Sequence, residues 1–155
     1  MMPDSEYSYQ RCLPGAYCNP LAVVLFLAAA MAGPAGAEAI GNSLEIDVSG
    51  VRTNAGSVIV SICKAGEAFP SRCSLIRKTI ARQGMTIVKV DGVGGGRHAL
   101  AMFHDENNDG HLDLMREGIG FSNNANRKWV VPDFDSSAFN ISGNTKINVQ
   151  MWYQR

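Results

Sequence analysis

The stretch best equipped for chemistry runs from His104 to Ala125, HDENNDGHLDLMREGIGFSNNA. Asp105, Asn107 and Asp109 stand two residues apart, Gly110 follows, and Asp113 comes four residues after Asp109. This is the spacing of a calcium loop, with oxygens at the first, third and fifth positions, a glycine at the sharp turn and a carboxylate at the ninth. His111, at the seventh position, would offer its backbone carbonyl. Ca²⁺ takes about six to eight oxygens, and short Asp and Asn side chains alternating along a loop can turn inward around one ion. The twelfth position departs from the pattern: Arg116 stands where a bidentate Glu belongs, and Glu117 arrives one residue late. The competing reading is an Asx-rich turn whose side chains cap their own backbone and need no metal.

Other groups are weaker candidates. His98, His104 and His111 raise the question of a transition metal. His98 and His104 share strand parity but stand about 20 Å apart at ~3.3 Å per residue, too far to share one zinc. His104 is expected to pack at its strand end and orient Asp105. Ser122 lacks the G-x-S-x-G elbow of a serine hydrolase. Asp133 and Asp135 flank Phe134, as a carboxylate pair for glycoside chemistry would, although loop carboxylates at a surface are commoner. Trp129 and Trp152 could each stack on a sugar ring, Trp152 being the better placed on the polar face of its strand, with rim packing as the plain alternative. Gly92 to Gly96 (GVGGG) lacks the Lys-Ser/Thr of a phosphate loop and reads as a flexible turn.

These residues need a scaffold, and the remaining sequence describes one. The chain has 155 residues, 46% hydrophobic and 18% charged, enough for one domain with a core. Its zero net charge argues against a dedicated nucleic-acid binder. Leu44, Ile46 and Val48 alternate with Glu45, Asp47 and Ser49, the period of a half-buried strand. Ser57 to Cys63 is a second strand, and the turn between the two predicts an opening hairpin. Ser74 to Ala81 is a further strand, with a short helix over Leu75 to Arg82 as the alternative. Met85 to Val90 follows, and then Arg97 to His104, apolar on both faces and therefore central. Trp129 to Val131, Ser137 to Ile141 and Lys146 to Tyr153 complete the series. About seven short strands without a long amphipathic helix predict an all-β fold, a single antiparallel β-sandwich.

The N-terminal 37 residues read differently. Leu21 to Ala32 is an apolar run of 12 residues, followed by Gly33-Pro34 and Ala35-Gly36-Ala37. This predicts a signal peptide over residues 1–37, cleaved before Glu38, with the domain over 38–155. A retained anchor is the alternative, but Pro14, Asn19, Pro20 and Pro34 interrupt the run, so no membrane span is expected after cleavage. Cys12 and Cys18 would leave with the signal. Export favours pairing the remaining two cysteines, Cys63 and Cys73, in a disulfide worth roughly 2–3 kcal/mol; the alternative is two buried thiols.

Three pieces of sequence resemble a family. Gly96-x-His98-Ala99, then His104-Asp105-Glu106-Asn107-Asn108-Asp109-Gly110-x-x-Asp113, then Gly120-Phe121-Ser122-Asn123-Asn124, are similar to a widespread family of exported bacterial proteins known only as a domain of unknown function. The resemblance extends from about Leu44 to Tyr153. It implies a small β-sandwich similar to transthyretin-like or carboxypeptidase-regulatory-like domains, with no established activity. His98 stands where members often carry tyrosine, and the stretch from Asp113 to Glu117 is shorter than usual. The expected function is a non-catalytic binding or structural module of the cell envelope, periplasmic or secreted, with an EF-like loop for Ca²⁺. Its ligands would be Asp105, Asn107, Asp109, His111, Asp113 and Glu117. The expected partner is an envelope protein or glycan. A metal-dependent hydrolase using the same loop is the alternative, and it would need a paired nucleophile and base that the sequence does not display.

Overall fold

The computed structural model describes residues 41–125 and 130–154. The expected signal segment, Cys12, Cys18 and Trp129 lie outside the described residues. The strands are β1 (Asn42–Val51), β2 (Ser57–Lys64), β3 (Leu75–Ile80), β4 (Gly84–Val93), β5 (Gly96–Asp105), β6 (Gly118–Phe121), β7 (Ala138–Ile141), β8 (Asn144–Gln150) and β9 (Trp152–Tyr153). A smaller sheet has the order β4-β1-β8, and a larger one the order β3-β2-β5-β6-β9. β5 pairs with β7 through its first residues and with β6 through its later ones. The fold is therefore the all-β sandwich that the alternation predicts.

The core lies between the sheets. Leu44, Ile46 and Val48 of β1 and Val88 and Val90 of β4 meet Val58, Val60 and Ile62 of β2 and Leu100 and Met102 of β5. Each such side chain contributes roughly 1.5–3 kcal/mol when fully buried. Cys63 and Cys73 are joined in a disulfide that ties the end of β2 to the loop before β3.

Several local expectations need correction. β1 and β2 form no hairpin: β1 pairs with β4 and β8, while β2 pairs with β3 and β5. The turn between them crosses from one sheet to the other, and Gly92 to Gly96 does the same between β4 and β5. Alternation shows that one face is buried, but not which strands lie alongside. β1 and β8 run parallel, the exception among otherwise antiparallel pairs. The strand expected over Ser74 to Ala81 is present as Leu75–Ile80, and the alternative helix is not. Val130 and Val131 lie in no strand, contrary to the expected run from Trp129. The run from Lys146 breaks at Met151, so that β8 stays in the smaller sheet while β9 joins the larger one.

β6 is a strand that the sequence hides, because Gly-Ile-Gly-Phe has little β character. Gly120 is needed there for space. A Cβ would stand 2.8 Å from the Gln150 carbonyl oxygen and collide with the Met102 side chain.

Candidate functional site

β5 delivers the acidic loop at one end of the sandwich, and its alternation sorts His104 from Asp105. His104 points into the core and is fully buried. Its Nε2 is 2.7 Å from the Ala55 carbonyl oxygen, and its Nδ1 is 2.6 Å from the Tyr153 hydroxyl. A carbonyl only accepts, so Nε2 carries the proton and Nδ1 accepts from Tyr153. Tyr153 in turn accepts the Arg52 backbone N–H at 3.1 Å, and burial pushes its phenol pKa up. The Arg52 guanidinium lies 4.5 Å from the centre of the Tyr153 ring and binds both oxygens of Glu106, at 2.9 and 2.6 Å. That guanidinium holds the Glu106 carboxyl below the usual carboxylate range. His104 therefore does not orient Asp105, because consecutive strand residues face opposite ways.

Asp105 lies on the outer face, yet it too is fully buried. The turn before β2 packs against its backbone. Gly56, at φ +66°, passes so close that a Cβ would collide with the Asp105 carbonyl oxygen. Asp105 Oδ2 accepts from the Gly110 N–H at 3.1 Å and from Lys78 of β3 at 3.3 Å. Its Oδ1 has no hydrogen-bond partner among the described residues.

The other expected ligands brace the loop itself. Asn107 Oδ1 accepts the Asp109 N–H at 3.0 Å, and its amide donates to Asp109 Oδ2 at 2.7 Å. Asp109 Oδ1 accepts the His111 N–H at 2.7 Å, the main reason its pKa is lowered. Asp113 accepts the Met115 N–H at 2.9 Å. Glu117 is only 3% exposed and works as a buckle: Oε1 accepts from the Glu106 N–H and Oε2 from the Asp113 N–H, both at 3.0 Å.

The six predicted residues thus share one loop but occupy three places in it. Asp105 lies beneath, against Lys78. Asn107, Asp109 and the His111 backbone form successive Asx turns at the exposed tip. Asp113 and Glu117 line a hollow of about 210 Å³ with Glu106, Asn107 and Arg116. Among the described residues, no group of three or more His, Cys, Asp or Glu side chains is arranged to hold a metal. Sequence reasoning missed Arg52, Lys78 and Tyr153 as supports of this loop, and Thr53, whose hydroxyl donates to Glu106 Oε1 at 2.9 Å. Their partners lie far along the chain, and no local motif signals them.

The remaining candidates have structural positions. Asp133 caps the short helix α1 (Phe134–Ser137) by accepting the Ser136 N–H at 2.7 Å, and Asp135 pairs with Arg97 at 3.0 Å. Neither carboxylate is set opposite the other as acid or base. Ser122 is buried and takes the Leu100 N–H at 2.9 Å. Trp152 emerges half-exposed beside Ile119 on the outer face of the larger sheet. On that face, Phe103 and Phe121 floor an apolar hollow of about 240 Å³, edged by Pro70, Leu112, Leu114 and Val131.

Residues 46–149, from within β1 to within β8, match the family model described as "Uncharacterized protein conserved in bacteria (DUF2141)". No curated protein and no solved structure matches the chain.

Proposed function

The chain belongs to this uncharacterized bacterial family, and from that premise we propose that it is an exported, non-catalytic binding or structural module of the cell envelope. The observation that carries this reading is how the loop uses its carboxylates. A general acid or base must be free to exchange a proton with substrate. Asp109, Asp113 and Glu117 accept the loop's own backbone N–H groups, and Glu106 is held by Arg52. These bonds favour a shaped loop over a reactive one. The apolar hollow beside Leu112 and Leu114 offers a surface for an envelope protein or glycan. The hydrolase alternative rests on the same loop and has no observation of its own.

Export is supported by the apolar run before Ala37 and by the Cys63–Cys73 disulfide, a bond that persists in oxidising compartments. Mass spectrometry of protein recovered from the periplasm or medium should find Glu38 at its terminus. The same sample should yield Cys63 and Cys73 as one linked, non-reduced fragment. A full-length chain confined to membranes would support a retained anchor instead of a cleaved signal, and free thiols at both cysteines would overturn the disulfide.

Calcium is the finer part of the proposal. Asp105 supports it by holding an unpartnered buried oxygen at the loop's first position. Asn107, Asp109, the His111 carbonyl, Asp113 and Glu117 would complete the shell only by closing in on it from the three places they now occupy. With Arg116 at the twelfth position, binding should be weak, with a dissociation constant around 10⁻⁴–10⁻³ M. About 10 mM calcium should then stabilise the fold by roughly 1.4–2.7 kcal/mol by mass action. Magnesium should do much less, since its small octahedral shell fits such a loop poorly. Melting curves in chelator, calcium and magnesium test this, repeated with Asp109→Ala. An unmoved midpoint would make the loop an Asx turn alone, and a shift surviving Asp109→Ala would place the ion elsewhere.

A further inference from the structure

β3 is the last strand on one side of the larger sheet, so half of its backbone has no neighbouring strand. The ladder decides which half. The Ala81 N–H continues the pairing with β2 by donating to the Gly56 carbonyl at 3.2 Å. Backbone groups alternate sides along an antiparallel strand, so Leu75, Arg77 and Thr79 also bond towards β2. Ile76, Lys78 and Ile80 therefore point their N–H and C=O groups outward. The Arg77 guanidinium, 2.9 Å from the Ile76 carbonyl oxygen, occupies one place in that row. A row of this kind is a template for a further strand.

Charge and shape make this edge selective. Ser74 to Gln83 carries three cations, Arg77, Lys78 and Arg82, and no acidic residue. Arg77 and Arg82 are exposed and pair with no carboxylate among the described residues. Lys78 is exposed as well, with its ammonium 3.3 Å from Asp105. Ile76 and Ile80, at 59% and 74% exposed, give the same edge an apolar character. A hollow of about 210 Å³ adjoins it, lined by Thr79 and Ile80 of β3 and by Met85 and Ile87 of β4. Thr86 fixes the turn between these two strands, accepting the Arg82 N–H at 2.8 Å and donating to its carbonyl at 3.1 Å.

We propose that the β3 edge takes up an extended acidic segment of another protein as an added antiparallel strand. Residues opposite each other in such a pair share a face, so β3 sets the pattern of its partner. Apolar residues fall opposite Ile76 and Ile80, and carboxylates opposite Arg77 and Lys78. An aliphatic side chain opposite Thr79 enters the hollow. The incoming strand's N–H replaces Arg77 on the Ile76 carbonyl, which releases the guanidinium to a carboxylate. Backbone bonds supply affinity, while the hollow and the cations supply specificity. A second copy of this chain fits poorly, because pairing β3 with itself about its centre sets Arg77 against Lys78 twice. The exported-module reading supplies only the compartment in which the partner is met. A failed peptide titration leaves that reading standing, and a failed export experiment leaves the titration standing.

The test is an NMR titration of the native protein with the blocked peptide Val-Leu-Glu-Glu-Val. Its residues fall in that order opposite Ile80, Thr79, Lys78, Arg77 and Ile76. The amides of Ile76, Lys78 and Ile80 should shift and become protected from exchange, with a dissociation constant of about 0.1–1 mM. Lysine in place of both glutamates should weaken binding at least roughly tenfold, and so should Arg77→Glu, which at an exposed position leaves the melting midpoint in place. N-methylation of the first glutamate, whose N–H faces β3, should abolish binding. The same change at the second glutamate, whose N–H faces away, should alter it by no more than about twofold. Shifts absent from β3 up to roughly 10 mM peptide would overturn the proposal. Equal effects of the two N-methyl groups, or equal binding of the lysine peptide, would overturn it as well. So would a β3 edge that answers to phosphatidylglycerol vesicles but not to the peptide, or one already protected in a dimer of this chain.

Discussion

Replacing Met151 with Asp is expected to unfold the domain or to destabilise it by on the order of 4 kcal/mol or more. Met151 is 2% exposed and sits at the break where β8 of the smaller sheet gives way to β9 of the larger. Its N–H donates to the Ser49 carbonyl at 2.8 Å, which fixes the crossing point. Losing the buried thioether removes roughly 1.5–3 kcal/mol, and burying a carboxylate among the apolar side chains of this core adds a desolvation cost of several kcal/mol. Against a typical domain stability of about 5–15 kcal/mol, that is a large share. Urea unfolding followed by circular dichroism would measure it. Lys146→Ala is the control, since Lys146 points outward and pairs with Glu45 and Asp47 at 2.7 and 2.9 Å. Its midpoint should barely move. Strand parity alone would pass Lys146→Asp as equally harmless, but that change sets a third carboxylate beside those two. Similar losses in Met151→Asp and Lys146→Ala would mean that Met151 is not a core residue.

Glu117→Ala is expected to have the second largest effect, about 2–4 kcal/mol. The side chain is buried and holds two backbone N–H groups from opposite ends of the loop, those of Glu106 and Asp113. Without it both donors are left unpaired, at roughly 1–3 kcal/mol each where water cannot reach them. Glu117→Gln should fall between alanine and the native residue. Its one carbonyl oxygen keeps a bond, while its NH₂ faces the other N–H donor. Amide hydrogen exchange gives the most direct reading: the Glu106 and Asp113 amides, protected in the native protein, should exchange quickly in Glu117→Ala. Unchanged protection at both would show that the buckle does not hold the loop. This effect is expected with or without calcium, which separates it from the melting experiment on the ion.

The acidic loop was legible because its chemistry is local. Asn107 and Asp109 bond to backbone groups two residues away, so their spacing alone announces the turn. β1, β4 and β8 were legible for a similar reason, since a strand with one buried face writes its period into a few consecutive residues, and β5 was legible as a short run apolar on both faces. β6 was not, because Gly120 is there for the close approach of Met102 and Gln150, and a missing side chain carries no period. Glu117 is a sharper case. Its position one residue late looks like a flaw in a ligand set, whereas in the fold that register lets it reach the Glu106 and Asp113 N–H groups.

By itself, the sequence determined that this chain is an all-β domain with a turn-rich acidic loop and one cysteine pair in the described region. Periodicity and turn preference act over a few residues and need no partner to be read. Only the tertiary structure decided which strands share a sheet, what each carboxylate holds and which histidine is left wanting. His98 and His104 are the same residue on the same face of one strand. Tyr153 and Ala55, each 49 residues from His104, meet both of its nitrogens, while only Gly96 meets one of His98's. Pairing and desolvation depend on neighbours brought together by folding, and no local window of sequence contains them.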